Sequence, residues 1–399
     1  MAEGEGSLFV ESDGPYSRAA YVETPAIPDH LTLHDNTPAV QQIRDLYVAN
    51  LWDFTKWHLA LFYMSSKEDL EEWIRNPEAA RAYGHYAQLF GTLFTSGRIS
   101  SMYRLPVDPS TNMAQIGELA RHKGSHGQLP ATMHSSFVPP ATHKRRRLGN
   151  EIEERDREEC VVTHKAKAFD GAHIVPFAVN STRAGLDYLP PALAIAERLL
   201  GKSLGQVRRV LCTLGGSDYH WNVITLTPYL RRLWDNYGLI GFRPCYIDAE
   251  QDKSGNVNYL ATFTFHWLFK NDMNSRLPIP EQLSAHDCLL MVTESGKFST
   301  EKYRIFETVY TPGRQPPHDL QRLEDGHVCR VRFPDRKEAE LMMVMLDLRW
   351  HASRLLCLSG GAGEDLLDAS DDDSDSDGYL VFEESASRGV WGSDYDEDA

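Results

Sequence analysis

The sequence predicts an α+β fold, and three observations carry that prediction. Apolar residues recur every three or four positions near both ends of the chain and alternate over 257–269, so helices and strands are both encoded. Between about 160 and 237, two short β-prone runs, an asparagine and a proline-led helix follow one another in a ββα order. The two termini lack periodicity and are rich in Gly, Pro, Ser and acids, which marks them as disordered.

Residues 1–37 form the disordered N-terminus. A helical region spans 38–105. Ile43, Tyr47, Leu51, Phe54, Trp57 and Leu61 trace one amphipathic stripe, with Asn36-Thr37-Pro38 as its cap. Further helices are expected at Lys67–Ile74 and Pro77–Thr95. Residues 106–154 read as a flexible linker with five prolines and a basic run, Lys144-Arg145-Arg146-Arg147. That run suits nuclear import or phosphate contact, against the simpler reading of a solvated charge cluster.

A module is expected over 155–271. Cys160–Thr163 and Ala168–Val175 read as two strands of a hairpin, ended by Pro176. An insertion with a helix follows at about Pro190–Gly216. Thr227-Pro228 supplies an N-cap and first turn for a helix to Tyr237. Strands are expected at Leu239–Asp248 and Val257–Phe269. An α+β extension covers 272–358, with a helix over Glu338–Leu358. The acidic tail, 359–399, is read as disordered and as a surface for protein partners.

Charge and cysteine content narrow the function classes. The chain has 399 residues, 25% charged and 42% hydrophobic, with a net charge of −16. Residues 364–399 hold 14 acids and one base, so the rest of the chain is nearly neutral, and 160–250 is mildly basic with 10 Lys/Arg against 7 Asp/Glu. That balance is compatible with a nucleic-acid partner. Six scattered cysteines without a C-x-x-C pair give no zinc-site or disulfide signature. The first nine residues lack a basic, apolar leader pattern, and Leu59–Met64 is too short to span a bilayer. An intracellular protein with no membrane association is expected, in the nucleus if the basic run is read there and otherwise in the cytoplasm.

Three blocks then stand in a specific order: Arg155-Asp156-x-x-x-Cys160-Val-Val-Thr163, Ala172-His173-Ile174-Val175-Pro176-Phe177, and Asn222-x-Ile-Thr-Leu-x-Pro-x-Leu230-x-Arg232-Leu-Trp-Asp235. Together they resemble the fungal-type HNH (ββα-metal) nuclease domain family, over roughly 110 residues of the chain. The resemblance implies an endonuclease that hydrolyses DNA or RNA phosphodiesters. His173 would accept a proton from the attacking water and Asn222 would fix the loop beside it. A divalent ion (Mg²⁺, Mn²⁺, Ni²⁺ or Zn²⁺) is implied if the site is active, and no cofactor otherwise.

The chain departs from the family at Arg231, where members usually carry a metal-binding His, and at His164, where a Gly usually follows Thr163. A guanidinium has no lone pair to offer a metal. His220, Asp235 and Asp170 are the replacement ligands to test. Arg231 and Arg232 are the phosphate-binding candidates, although an i,i+4 pair of Arg231 with Asp235 is the simpler reading. The alternative function is a catalytically inactive HNH fold that binds nucleic acid or protein.

Overall fold

A computed structural model describes Tyr16 and residues 36–96, 142–166, 169–202, 204–235, 237–252, 254–268, 279–280, 282–290, 308–309 and 321–361. The fold is α+β, as the residue pattern predicts. The sequence-read disorder of the far termini, most of the linker and the acidic tail lies outside the described residues. So do the side chains of Lys144–Arg147.

Four helices open the fold: α1 (Thr37–Ala49), α2 (Lys56–Met64), α3 (Lys67–Arg75) and α4 (Pro77–Ser96). The stripe read as one helix breaks after Ala49. Asn50 takes the C-cap, with its amide and side chain both on Leu46 O, and Leu51 turns left-handed (φ 55°) into solvent. Phe54 then folds back edge-on to Tyr47, with ring centroids 5.3 Å apart. The apolar spacing reads through the break because α2 restarts on a capping box formed by Thr55 and His58. Asn36 does not cap α1. Its side chain donates instead to Tyr63 O and Ser65 O, tying α1 to the end of α2.

Helix α4 lies unusually close to α2. A Cβ at Gly84 would meet the His58 ring at 2.0 Å, and one at Gly91 would meet Trp57 at 2.5 Å. Buried His58 accepts at Nδ1 from Thr55 N, 3.0 Å away. Burial, with the charges of His85 and Arg81 adding, pushes its pKa down to about 3. The unfolded chain therefore binds a proton that the folded chain refuses. His58 costs no stability above about pH 6.5, and stability falls by roughly 1.4 kcal/mol per pH unit below it, toward pH 3. Urea denaturation at a series of pH values is expected to show this loss, and His58→Gln should make it shallower. An unchanged slope in the variant would contradict the assignment.

Helix α5 (Thr142–Arg155) occupies the end of the stretch read as a flexible linker. Ile152 is buried near its C-terminus, which gives a polar segment one apolar anchor. Strand β1 (Asp170–His173) pairs antiparallel with β2 (Val223–Leu226), His173 opposite Val223. The expected hairpin is thus corrected. Cys160–Thr163 is a turn rather than a strand: it is closed by His164 N to Cys160 O, by Cys160 N to Lys165 O and by an isolated bridge between Glu159 and Ala166, and Val161 N reaches Thr225 O on β2. The apolar residues of the run are buried there without a ladder.

The insertion between β1 and β2 holds α6 (Arg183–Leu200), which starts before Pro190-Pro191 rather than at them, and α7 (Gly205–Leu211). Thr182 caps α6 by accepting from Gly185 N. Arg198 of α6 reaches back to Asp69 and Glu72 of α3 and lies over the Tyr83 ring. After β2 comes α8 (Pro228–Asp235), with Thr227 Oγ1 accepting from Leu230 N as the sequence suggests.

Strands β3 (Ile240–Gln251) and β4 (Val257–Trp267) form an antiparallel sheet. A two-residue pair, β5 (Thr308–Val309) and β6 (Gln321–Arg322), stands apart. Strand β7 (His327–Phe333) adds to β4, giving the order β3-β4-β7. The domain boundary read at 271/272 therefore falls inside one sheet. Helix α9 (Arg336–Leu358), N-capped by Asp335, packs against β3, α4, α2 and α6, so one continuous core joins the front helices to the module. Among the described residues, no helix is long and apolar enough to cross a membrane.

Candidate functional site

The site is held by a buried clamp at the end of α5. Arg155 grips Asp156 through two bonds of 2.6 and 2.7 Å and donates to His220 O (2.6 Å) and Val223 O (2.7 Å). Asp156 in turn accepts from the amide and hydroxyl of Thr225. An ion pair this enclosed holds because four of the five guanidinium N–H groups and both carboxylate oxygens are hydrogen-bonded. It fixes the turn at 156–165 against β2. His164 sits in that turn at φ +54°, a left-handed backbone in which glycine carries no steric cost. That is the physical reason a glycine suits the position.

Asn222 joins the end of β1 to the start of β2. Its Oδ1 accepts from Val175 N (2.9 Å), and its Nδ2 donates to Val175 O (2.9 Å) and Ser217 O (2.8 Å). The side chain is fully buried, so it is a loop lock and touches no solvent. A second asparagine supports it: Asn180 Oδ1 accepts from Ser217 Oγ at 2.7 Å, and Asn180 Nδ2 donates to Leu211 O.

His173, at the end of β1, stays partly exposed. Its Nε2 lies 3.4 Å from Oδ1 of Asp218, whose side chain is buried. A carboxylate behind an imidazole orients the ring, leaving the other ring nitrogen for a water or substrate. The sequence does not single out Asp218. The only signal for it is a short polar step, Ser217-Asp218, ahead of Asn222, and that has no periodicity to distinguish it.

On α8, Arg231 reaches two carboxylates. Nη1 lies 3.4 Å from Asp170 Oδ2 on β1, and Nε lies 3.4 Å from Asp235 Oδ2 one turn along the helix. The i,i+4 pair is therefore real but is only half of the arrangement. Asp235 also meets Arg349 of α9, at 3.6 Å. Burial raises the Asp235 carboxyl, while the charges of Arg349, Arg231 and His173 act to lower it. Arg232 is exposed on the same helix.

The remaining candidate, His220, is taken elsewhere. Its Nε2 lies 3.1 Å from Glu338 at the start of α9 and its ring tilts on Phe333. Among the described residues, no three His, Cys, Asp or Glu side chains converge in a way that could hold a metal ion. The helical position expected to supply a ligand holds Arg231, and its guanidinium engages both nearby aspartates. The described residues here do not fit a divalent ion.

Residues 160–242 match the model of the HNH endonuclease family. That stretch is similar to an HNH-family domain, and the family generally uses a divalent metal ion and acts on nucleic acid. No curated protein and no solved structure matches the chain.

Proposed function

We propose that this HNH-family domain engages nucleic-acid phosphodiesters at His173 and Arg231, with the guanidinium of Arg231 standing in place of the metal. The observation that carries this reading is Arg231 held between Asp170 and Asp235 while remaining 44% exposed. A planar, permanently charged fork pre-aimed by two carboxylates is suited to phosphate oxygens. Asn222 and the Arg155–Asp156 clamp keep the backbone beneath it rigid. Arg232, exposed one residue on, adds a second phosphate contact. DNA and RNA both present the required backbone; an acidic tail that takes protein partners and membership of the fungal-type HNH group belong to the same proposal.

Fluorescence anisotropy with a labelled duplex should show salt-sensitive binding. Arg231→Ala is expected to weaken it roughly tenfold and to reduce the dependence of log K on log salt by about one unit. Salt-independent binding, or an Arg231→Ala variant with wild-type affinity, would sink the reading.

The His173–Asp218 pair favours a second reading, in which the domain also cuts. A base with a carboxylate behind it is equipped to deprotonate water. Plasmid nicking in Mg²⁺, Mn²⁺, Ni²⁺ or Zn²⁺ that disappears in His173→Ala would establish cutting, and dependence on the added ion would overturn the reading of Arg231 in place of the metal. Retained binding without nicking in any of them would leave the catalytically inactive module.

A further inference from the structure

Among the described residues, His173 and Arg231 each keep one polar edge without a partner. His173 sets Nε2 3.4 Å from Asp218 Oδ1 and tilts its ring against Phe177, which leaves Nδ1. Arg231 sets Nη1 against Asp170 and Nε against Asp235, which leaves Nη2. The two side chains are 29% and 44% exposed, so solvent and substrate reach both. They also stand around one carboxyl. Burial raises that of Asp235, and the charges of Arg349, Arg231 and His173 all oppose the rise.

From this arrangement we infer that the domain cleaves RNA by internal transesterification, in which the substrate brings its own nucleophile. The inference rests on the phosphodiester reading of the site and names the nucleic acid and the bond that breaks. Hydrolysis of DNA calls for an activated water at phosphorus, which a bound metal ordinarily supplies. The helical position expected to ligate that metal holds Arg231, and the described side chains gather no ligand set in its place. RNA carries a 2′-hydroxyl beside each internucleotide phosphate, so attack is intramolecular and gains the high effective concentration of tethered groups. His173 Nδ1 takes the 2′-hydroxyl proton as O2′ bonds to phosphorus. The P–O5′ bond breaks, O5′ takes a proton from water, and the imidazole returns its proton to solvent. The products are a 2′,3′-cyclic phosphate and a 5′-hydroxyl. Arg231 Nη2 donates to the non-bridging oxygens, where charge gathers as the new bond forms.

The test incubates the full chain in EDTA with a fluorescein-labelled RNA of mixed sequence, beside the same sequence with every 2′-hydroxyl methylated. The RNA is expected to be cut to fragments ending in 2′,3′-cyclic phosphate, and the methylated strand to stay whole. His173→Gln keeps a donor for Asp218 but takes no proton, and should slow cleavage about 100-fold or more. Arg231→Ala should slow it by about the same factor. Thermal unfolding curves that overlay the wild type exclude misfolding as the cause. Wild-type cleavage in either variant, cutting of the methylated strand, or fragments ending in a 3′-hydroxyl would overturn the transesterification. So would an RNA that binds with Arg231-dependent affinity yet stays whole, an outcome that leaves the phosphodiester reading standing. A protein that binds neither this RNA nor a DNA duplex would overturn both.

Discussion

Asn222→Ala is expected to lower the free energy of unfolding by roughly 3–5 kcal/mol, because three buried backbone groups lose their partner at once. The amide and carbonyl of Val175 and the carbonyl of Ser217 all end on this one side chain, and none of the three can turn to water without opening the loop. A single lost hydrogen bond costs about 1 kcal/mol when solvent can replace it, and about 1–3 kcal/mol when the remaining group stays buried and unpaired. Asn222→Asp is the informative control. It keeps an acceptor for Val175 N but sets a second carboxylate oxygen against two carbonyls, so it too should destabilise strongly. Urea denaturation measures the loss, and amide hydrogen exchange localises it. Val175 N–H should exchange far faster in the variants, together with the amides of Ile174 and Gly215, whose bonds end on Asn222 O and Asn180 O. A stability loss below about 1 kcal/mol would mean that Asn222 is not the lock the geometry describes.

The same residue shows what was legible in the sequence. Asn222 reads as a loop-holding side chain because asparagine bonds neighbouring backbone in irregular segments, and its three bonds are of that kind. Helices α3, α4, α8 and α9 and strands β3 and β4 were legible because each buries one regular face. The first strand of the expected hairpin was not. Cys160–Val162 is β-prone by composition, but Arg157, Glu158 and His164 take positive φ and curl the segment into a turn. Propensity does not report such a conformation. The true partner of β1 is β2, some fifty residues later, a distance that a reading of neighbouring runs cannot bridge.

The candidate site was legible in part for a similar reason. His173, Asn222 and Arg231 sit in recognisable blocks. Asp218 and Arg349 contribute through space and carry no local pattern, and His220 is drawn away by Glu338 from a distant helix.

Arg349→Ala is expected to be as damaging as the loss of Asn222, again by roughly 3–5 kcal/mol, although Arg349 lies far from His173 in sequence and on a different element. Its guanidinium is buried, donating to Phe94 O at 2.9 Å and to Trp234 O at 2.7 Å, and lying over the Trp234 ring. Those carbonyls belong to the last turns of α4 and α8, whose final carbonyls have no acceptor role left within their own helices. One cation therefore satisfies the C-terminal ends of two helices and favours both dipoles. Burial lowers the Arg349 pKa to about 10, with Asp235 acting in the opposite direction, so the side chain remains charged at neutral pH. Arg349→Lys should rescue little, since a single ammonium cannot reproduce a fork that reaches two carbonyls and a carboxylate. The effect should also reach the site. Without Arg349, Asp235 keeps Arg231 as its remaining guanidinium, and the Arg231 side chain is pulled more firmly onto it. If that coupling is real, Arg349→Ala and Asp235→Asn will be non-additive in urea denaturation, because the second substitution removes the carboxylate that the first leaves poorly compensated. Strict additivity would show that α9 supports the fold of the site without setting its charge.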